Sequence, residues 1–248
     1  MSDQQPQVVL VHGAFAESAS WDGVIERLHA EGVTATAVAN PLRSLAGDAQ
    51  AVRDAIAPIA AAEGPVVLVG HSYGGLVISE ASAGNDQVAA LVYVAAFTPD
   101  TGDSAFALSA SEPGSTLGEA IEPHPIAGGG VEFVIQRAKF HEQFAADVDQ
   151  KTAGLMGATQ RPVTQAALTD PVLATEPGWA TLPSWHVWGE LDRNIPAAVT
   201  RNGAERANAR FAQEIAGASH AVAVSEPDAV AAVILLAVRS ASAERAAA

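Results

Sequence analysis

The chain contains no cysteine, few basic residues and no long apolar run, and each of these deficits excludes a class of protein. Without cysteine there is no disulfide, no thiolate nucleophile and no cysteine-ligated metal. Only 13 basic residues stand against 28 acidic ones, and the net charge of −15 disfavours binding to nucleic acid or to an anionic membrane surface. No apolar stretch approaches the ~18 residues that span a membrane.

The first residues also lack the features of a targeting signal. Met1 to Pro6 provide neither a basic n-region nor an apolar h-region, so we expect a soluble cytoplasmic protein that binds no membrane. A length of 248 residues with 49% hydrophobic content suits one α/β domain that carries an insertion. We expect it to be a monomer or a homodimer.

Short apolar runs alternate with segments of helical periodicity along most of the chain. This alternation favours a parallel sheet with right-handed crossovers. We therefore predict an α/β fold with a six-stranded, mainly parallel sheet, helices on both faces and a mainly helical cap insertion. The predicted strands are residues 7–11, 33–38, 66–70, 88–95, 185–189 and 211–215.

Local signals predict where several helices begin and end. Ser18 or Ser20 is expected to cap the first helix, and Asp48 the second. Pro58 falls late in that second helix, so we expect a kink or an early end there.

Residues 98–181 interrupt the alternation of strands and helices. Residues 98–131 are rich in Pro, Gly and Ser, and residues 131–175 are predicted to form short helices. Because an insertion of this length is usually functional, we interpret 98–181 as a lid over the strand ends, with a structural subdomain as the alternative. The core is then formed by residues 1–97 and 182–248.

A candidate nucleophile lies directly behind the third predicted strand. Gly70-x-Ser72-x-Gly74 has the G-x-S-x-G form of a nucleophile elbow, in which a strand turns sharply into a helix. Side chains at positions 70 and 74 would collide with neighbouring elements, which explains the need for glycine there. The helix N-terminus behind Ser72 favours developing negative charge. The alternative is an ordinary glycine-rich turn.

A serine nucleophile needs a base and a carboxylate that orients the base. Asp192 follows the fifth predicted strand and His220 follows the sixth, so the chain order Ser72, Asp192, His220 is the expected one. Glu190 and Asp100 are the alternative acids. The remaining histidines are less suitably placed for the role of the base: His12, His29, His71, His124, His141 and His186.

The negative oxygen of the transition state needs donors as well. The backbone N–H of Tyr73 is one candidate, and the turn after the first strand supplies the other. There Gly13 permits a close approach, and Ala14 N–H is preferred over Phe15 N–H. We expect no metal site, because neither H-x-H nor H-E-x-x-H spacing occurs.

Five segments together resemble the α/β-hydrolase superfamily over nearly the whole chain, namely VLVHGAF (9–15), VGHSYGGL (69–76), AAFTPD (95–100), ELDRNIP (190–196) and GASHAV (217–222). The likeness is greatest to the plant methylesterase and hydroxynitrile-lyase branch and its bacterial carboxylesterase relatives, which include pyrethroid-hydrolase-like enzymes. The resemblance implies a Ser72–His220–Asp192 triad, Ala14 and Tyr73 as oxyanion donors, Phe97 beside the substrate, and no cofactor. We also predict Phe15 as a substrate contact.

One difference from the family pattern bears on whether the protein is an ester hydrolase or a hydroxynitrile lyase, the two kinds of enzyme in this branch. Its lyases carry a hydroxylated residue where Gly13 stands and a lysine directly after the catalytic histidine, where this chain has Ala221. Without that cation, a departing cyanide is not stabilised, which favours hydrolysis. We therefore expect a carboxylesterase-type serine hydrolase that acts on small to medium hydrophobic esters. The alternatives are a receptor that binds ligands with little turnover, or a lactonase, perhydrolase or amidase with the same triad.

Overall fold

The computed structural model describes residues 5–247, so most of the segment Met1 to Pro6 discussed above lies outside the described residues. The strands are β1 (Val8–Val11), β2 (Ala35–Val38), β3 (Val66–His71), β4 (Val88–Val94), β5 (Ile121–Pro125), β6 (Val131–Ile135), β7 (Val163–Thr164), β8 (Ser184–Gly189) and β9 (Phe211–Ile215). The helices are α1 (Asp22–Ala30), α2 (Leu45–Glu63), α3 (Gly74–Ala81), α4 (Ala105–Ser109), α5 (Leu117–Ala120), α6 (Arg137–Phe144), α7 (Gln150–Thr159), α8 (Gln165–Thr169), α9 (Ala197–Arg206), α10 (Val222–Ser225) and α11 (Pro227–Ala247).

Six of the described strands form one parallel sheet in the order β2-β1-β3-β4-β8-β9. This confirms the predicted architecture. The carboxyl ends of parallel strands share one edge, so the loops that follow β1, β3, β8 and β9 lie on the same side of the sheet. That edge collects all the predicted catalytic residues.

Both faces of the sheet are covered. Val9 and Leu68 pack in the same apolar cluster as residues of α2 and α3, whereas Val8 and Val67 pack with residues of α1 and α11. All four valine and leucine side chains are fully buried. Strands buried on both faces have continuous apolar sequences, which is why these strands were recognisable. No helix within residues 5–247 is both long enough and apolar enough to cross a bilayer.

The segment between β4 and β8 contains α4 to α8 and a small antiparallel sheet of order β5-β6-β7. The prediction of helix over residues 131–175 was therefore wrong at β6 and β7. The sequence VEFVI of β6 favours a strand, and Gly128, Gly129 and Gly130 at positive φ form the hairpin turn that joins it to β5. The boundaries of the insertion at 98 and 181 stay a prediction.

The structure differs from the predicted helix ends at three points. The side chain of Ser44, not of Asp48, caps α2 by accepting from the backbone N–H of Gly47. The early end expected at Pro58 does not occur, since α2 continues to Glu63, and the alternative of a kink there stays a prediction. Pro58 is exposed, so the carbonyl that loses its helical partner can be solvated. Neither Ser18 nor Ser20 caps α1, because a 3₁₀ turn at Ser18–Trp21 leads directly into that helix.

Candidate active site

Ser72 lies in the sharp turn between β3 and α3. Its φ angle of 56° is in the left-handed region, which a side-chain-bearing residue adopts only under constraint. A Cβ atom on Gly70 would lie 2.6 Å from the carbonyl oxygen of Gly74, and one on Gly74 would lie 2.7 Å from that of Val11. These contacts confirm why the turn requires glycine on both sides of Ser72.

The turn after β1 packs directly against Ser72. A Cβ atom on Gly13 would lie 2.6 Å from Cβ of Ser72 and 3.2 Å from its Oγ. Ala14, the next residue, lines a cavity together with Ser72 and Tyr73. Within residues 5–247 the backbone N–H groups of Ala14 and Tyr73 donate to no protein acceptor. Both N–H groups are thus free to bind an oxyanion.

Asp192 and His220 form a buried pair. Nδ1 of His220 donates to Oδ2 of Asp192 at 2.6 Å, and both side chains are only 1% exposed. The other carboxylate oxygen, Oδ1, accepts from the backbone N–H groups of Asn194 and Ile195, each at 2.8 Å. Because Nδ1 carries the proton, Nε2 is left with a lone pair.

That Nε2 atom of His220 is buried and has no partner among the described residues. No hydrogen bond joins this Nε2 atom to the hydroxyl of Ser72. In enzymes without bound substrate, the distance between base and nucleophile is often too long, or the two groups are poorly aligned. His71, the residue before Ser72, donates from its Nε2 to the carbonyl oxygen of His220 at 3.0 Å. The ring centroids of His71 and His220 are 4.7 Å apart, so the imidazole of His220 lies directly beside the elbow.

Two other buried histidines support the loops of the site. His12 accepts from the N–H of Asn40 at Nε2 and donates from Nδ1 to the carbonyl of Gly13, so it fixes the turn that carries Ala14. Burial lowers the pKa of His12 to about 4. Burial, followed by proximity to His220, holds the pKa of His71 well below its usual range. Both imidazoles are therefore neutral at neutral pH and act as hydrogen-bonding supports.

The alternative acids lie elsewhere. Glu190 is exposed and accepts from the backbone N–H of Gly217 at 2.9 Å. Asp100 is exposed and lies 3.6 Å from Arg206. The structure thus pairs His220 with Asp192 rather than with either alternative. Among residues 5–247, no group of three or more histidine, aspartate or glutamate side chains is arranged to hold a metal ion.

Ser72 opens into a cavity of about 130 Å³ between the core and the cap. Phe15 and Phe97 both line it, as predicted for substrate contacts, and none of the described residues in its wall carries a charge. The cap contributes a largely apolar part of that wall, which sequence reasoning did not identify because the cap gave no recognisable motif. These apolar cap residues include Ala105, Phe106, Leu117, Ile121 and Leu168.

Asp48 is a further residue whose role the sequence did not reveal. The hydroxyl of Tyr73 donates to its Oδ2 at 2.8 Å, and the backbone N–H of Arg43 donates to its Oδ1 at 3.0 Å. Burial raises the pKa of the Asp48 carboxyl, and burial together with the neighbouring Asp48 charge raises the pKa of Tyr73. Asp48 therefore anchors the side chain of Tyr73, a residue that lines the cavity. From the sequence alone, Asp48 could be interpreted only as a cap of the second helix.

A strained serine in a strand-to-helix turn, a buried aspartate–histidine pair and two backbone N–H groups without an acceptor among the described residues thus follow neighbouring strands at one edge of the parallel sheet. The chain belongs to the alpha/beta hydrolase family, whose model matches residues 8–233. It is similar to the esterase PIR7B of Oryza sativa subsp. japonica, with 28% identity over 91% of this chain and 93% of that protein.

Solved structures agree with this assignment of the fold. Polyneuridine aldehyde esterase superposes with a TM-score of 0.80 at 20% identity, covering 94% of this chain and 98% of that one. The pyrethroid hydrolase PytH superposes with a TM-score of 0.71 at 22% identity, covering 96% and 98%. The predicted resemblance to the methylesterase branch and its pyrethroid-hydrolase-like relatives is confirmed.

Proposed function

We propose that this protein is a serine hydrolase that cleaves small to medium hydrophobic carboxylic esters through an acyl-enzyme on Ser72. The observation that carries the proposal is the buried Asp192–His220 pair, whose unpartnered Nε2 lies beside the strained elbow that holds Ser72. Family membership and the similarity to a rice esterase support ester hydrolysis.

The proposed reaction has two stages. Nε2 of His220 takes the proton of Ser72 as Oγ attacks the ester carbonyl, and the N–H groups of Ala14 and Tyr73 bind the resulting oxyanion. His220 then gives that proton to the departing alkoxide, and water repeats the sequence on the acyl-enzyme. Asp192 holds the imidazole in the tautomer that leaves Nε2 able to accept.

The uncharged wall of the cavity supports a neutral, apolar substrate. A charged substrate would lose hydration on entry without gaining an ion pair from the described lining residues. The same absence of a lining cation, with Ala221 directly after His220, disfavours a reaction that expels a free anion such as cyanide.

A panel of neutral substrates tests the proposal. We expect steady-state hydrolysis of p-nitrophenyl acetate and butyrate, with weaker activity on charged esters of the same size. Lactones and amides of similar size, together with an assay for peracid formation, distinguish an esterase from a lactonase, an amidase or a perhydrolase. A burst of p-nitrophenol without later turnover would instead indicate a ligand-binding receptor, and the absence of both would refute ester hydrolysis.

A further inference from the structure

Phe15 forms part of the wall of two separate spaces. One is the cavity of about 130 Å³ at Ser72. The other is a groove of about 380 Å³ between the segment that follows β1 and helix α7. Its apolar lining comes from Phe15, Ala16, Ala19, Leu155, Met156 and Val224.

The sizes of the two spaces suggest how they are used. Pockets for small molecules usually measure about 300–1,000 Å³, so the cavity at Ser72 is small for an ester with a long arm. The groove, taken by itself, has a volume within that range. Phe15 is only 3% exposed, and its φ of 60° fixes the backbone in the left-handed region beside the oxyanion donor Ala14. Phe15 is thus a buried residue that borders both spaces.

We propose that Phe15 determines the upper size limit of the substrate, and that the groove beyond it is a second subsite for the distal apolar arm of a longer ester. This rests on the function proposed above. Glu17 and Asp22 also line the groove, so a neutral arm fits there and an anionic one is repelled. Leu155 also lines the groove and is 61% exposed, so its side chain can be changed there with little effect on the core.

The test compares esters of increasing length in two series, p-nitrophenyl esters that vary the acyl chain and alkyl butyrates that vary the alcohol. Wild-type protein should prefer short chains. In Phe15→Ala, kcat/KM for the octanoate relative to the butyrate should rise at least roughly 10-fold. If the alcohol arm occupies the groove, the same rise should be seen for octyl relative to short-chain alkyl butyrates. Phe97→Ala is the matched control, because it enlarges the Ser72 cavity without lining the groove.

A double variant locates the bound arm. Adding Leu155→Asp to Phe15→Ala should abolish the gain for long chains, because the new carboxylate puts a charge in the groove that the apolar arm would occupy. The proposal would be overturned if the ratio of kcat/KM for long to short esters were unchanged in Phe15→Ala, or if it rose equally in Phe97→Ala. Hydrolysis of butyrate by the wild-type protein would still support the proposed function in either case. Wild-type protein that hydrolyses no ester would overturn both.

Gln143 carries a second, independent inference. This side chain of α6 is 7% exposed, and its Nε2 donates to the carbonyl of Arg193 at 2.9 Å and to Oδ1 of Asn194 at 2.8 Å. The hydroxyl of Thr116 donates to Oε1 of Gln143 at 2.8 Å, and the hydroxyl of Ser115 donates to the carbonyl of Asn194 at 2.9 Å. We call Ser115, Thr116 and Gln143 the cap clamp.

The cap clamp holds the two residues that follow Asp192. The N–H of Asn194 is one of the two donors that orient the Asp192 carboxylate, so a shift of this loop moves the acid relative to His220. Ser115 and Asn194 also line the Ser72 cavity, so one residue of the clamp and one residue that it holds border the proposed substrate site. We infer that Gln143 is a positioning residue that couples the cap to Asp192, again on the basis of the proposed function.

Gln160 offers a matched control for this inference. It also donates twice and accepts once, but its partners are Ile135 and Gly157 within the cap. Gln143→Leu should lower kcat roughly 10- to 100-fold with KM within about 3-fold, since misplacement of a catalytic group affects the chemical step. It should also shift or broaden the downfield proton resonance of His220 Nδ1–H, whereas Gln160→Leu should do neither.

Equal behaviour of Gln143→Leu and Gln160→Leu would overturn the inference and leave the proposed function intact. If Gln143→Leu fails to fold, Thr116→Val removes only one bond of the clamp and should shift the same resonance with a smaller loss of kcat. An unchanged resonance and kcat in that variant would also overturn it. A wild-type protein without esterase activity would instead refute the function.

Discussion

Ser72→Ala is expected to lower kcat for p-nitrophenyl butyrate by roughly 10³- to 10⁶-fold, because alanine has no hydroxyl on which the acyl-enzyme can form. The free N–H groups of Ala14 and Tyr73 remain in this variant, and oxyanion binding alone leaves some rate above that in water. The measurement is the steady-state rate at saturating substrate, with thermal unfolding as the check on folding.

Ser79→Ala is the matched control for this change. Ser79 is a fully buried serine on α3 that bonds the carbonyl of Gly75 and the hydroxyl of Tyr93. Its loss should reduce the free energy of unfolding by about 1–3 kcal/mol and leave kcat near that of the wild type. Retained turnover in Ser72→Ala would remove Ser72 from the mechanism.

Asp192→Asn is expected to lower kcat by roughly 10⁴-fold at neutral pH. The N–H groups of Asn194 and Ile195 fix the amide oxygen at the Oδ1 position, so the amide NH₂ must face Nδ1 of His220. That arrangement places the imidazole proton on Nε2, which can then no longer accept the proton of Ser72. The loss thus follows from the wrong tautomer, with the fold intact.

Glu190→Gln tests whether the effect is specific to the buried acid. Glu190 lies in the same loop and is exposed, and its carboxylate accepts only from the N–H of Gly217 in the described structure. Glutamine retains that acceptor, so kcat should stay within about 3-fold of the wild type. An equal loss in both variants would show that disturbance of the loop, and not the tautomer, lowers the rate.

The sequence allowed the main sheet and the elbow to be predicted because both depend on local residue requirements. Strands buried on two faces need continuous apolar residues, as in Val66 to Val69, and the elbow needs glycine wherever a Cβ would meet backbone within 3 Å, as at Gly70. The order of Asp192 and His220 follows from the sheet, since each residue lies in the loop after its strand. The triad and oxyanion roles themselves stay predictions until tested.

The cap was less predictable, since its elements depend on contacts distant in sequence. The strand β6 pairs with β5 through a glycine turn, but an insertion rich in Gly, Pro and Ser also fits a loop. Gln143 lies on a short helix, and nothing in its neighbourhood indicates that it bonds to Arg193 and Asn194 some 50 residues away. The role of Asp48 likewise becomes visible only when α2 packs beside Tyr73.

The most direct test of the account is to label the purified protein with a fluorophosphonate and to map the modified residue by mass spectrometry. We predict a single adduct on Ser72, with esterase activity lost in proportion to labelling, and slow labelling in Asp192→Asn because His220 can no longer activate the serine. An adduct on another residue, or full activity in protein that is fully labelled at Ser72, would contradict the central claim.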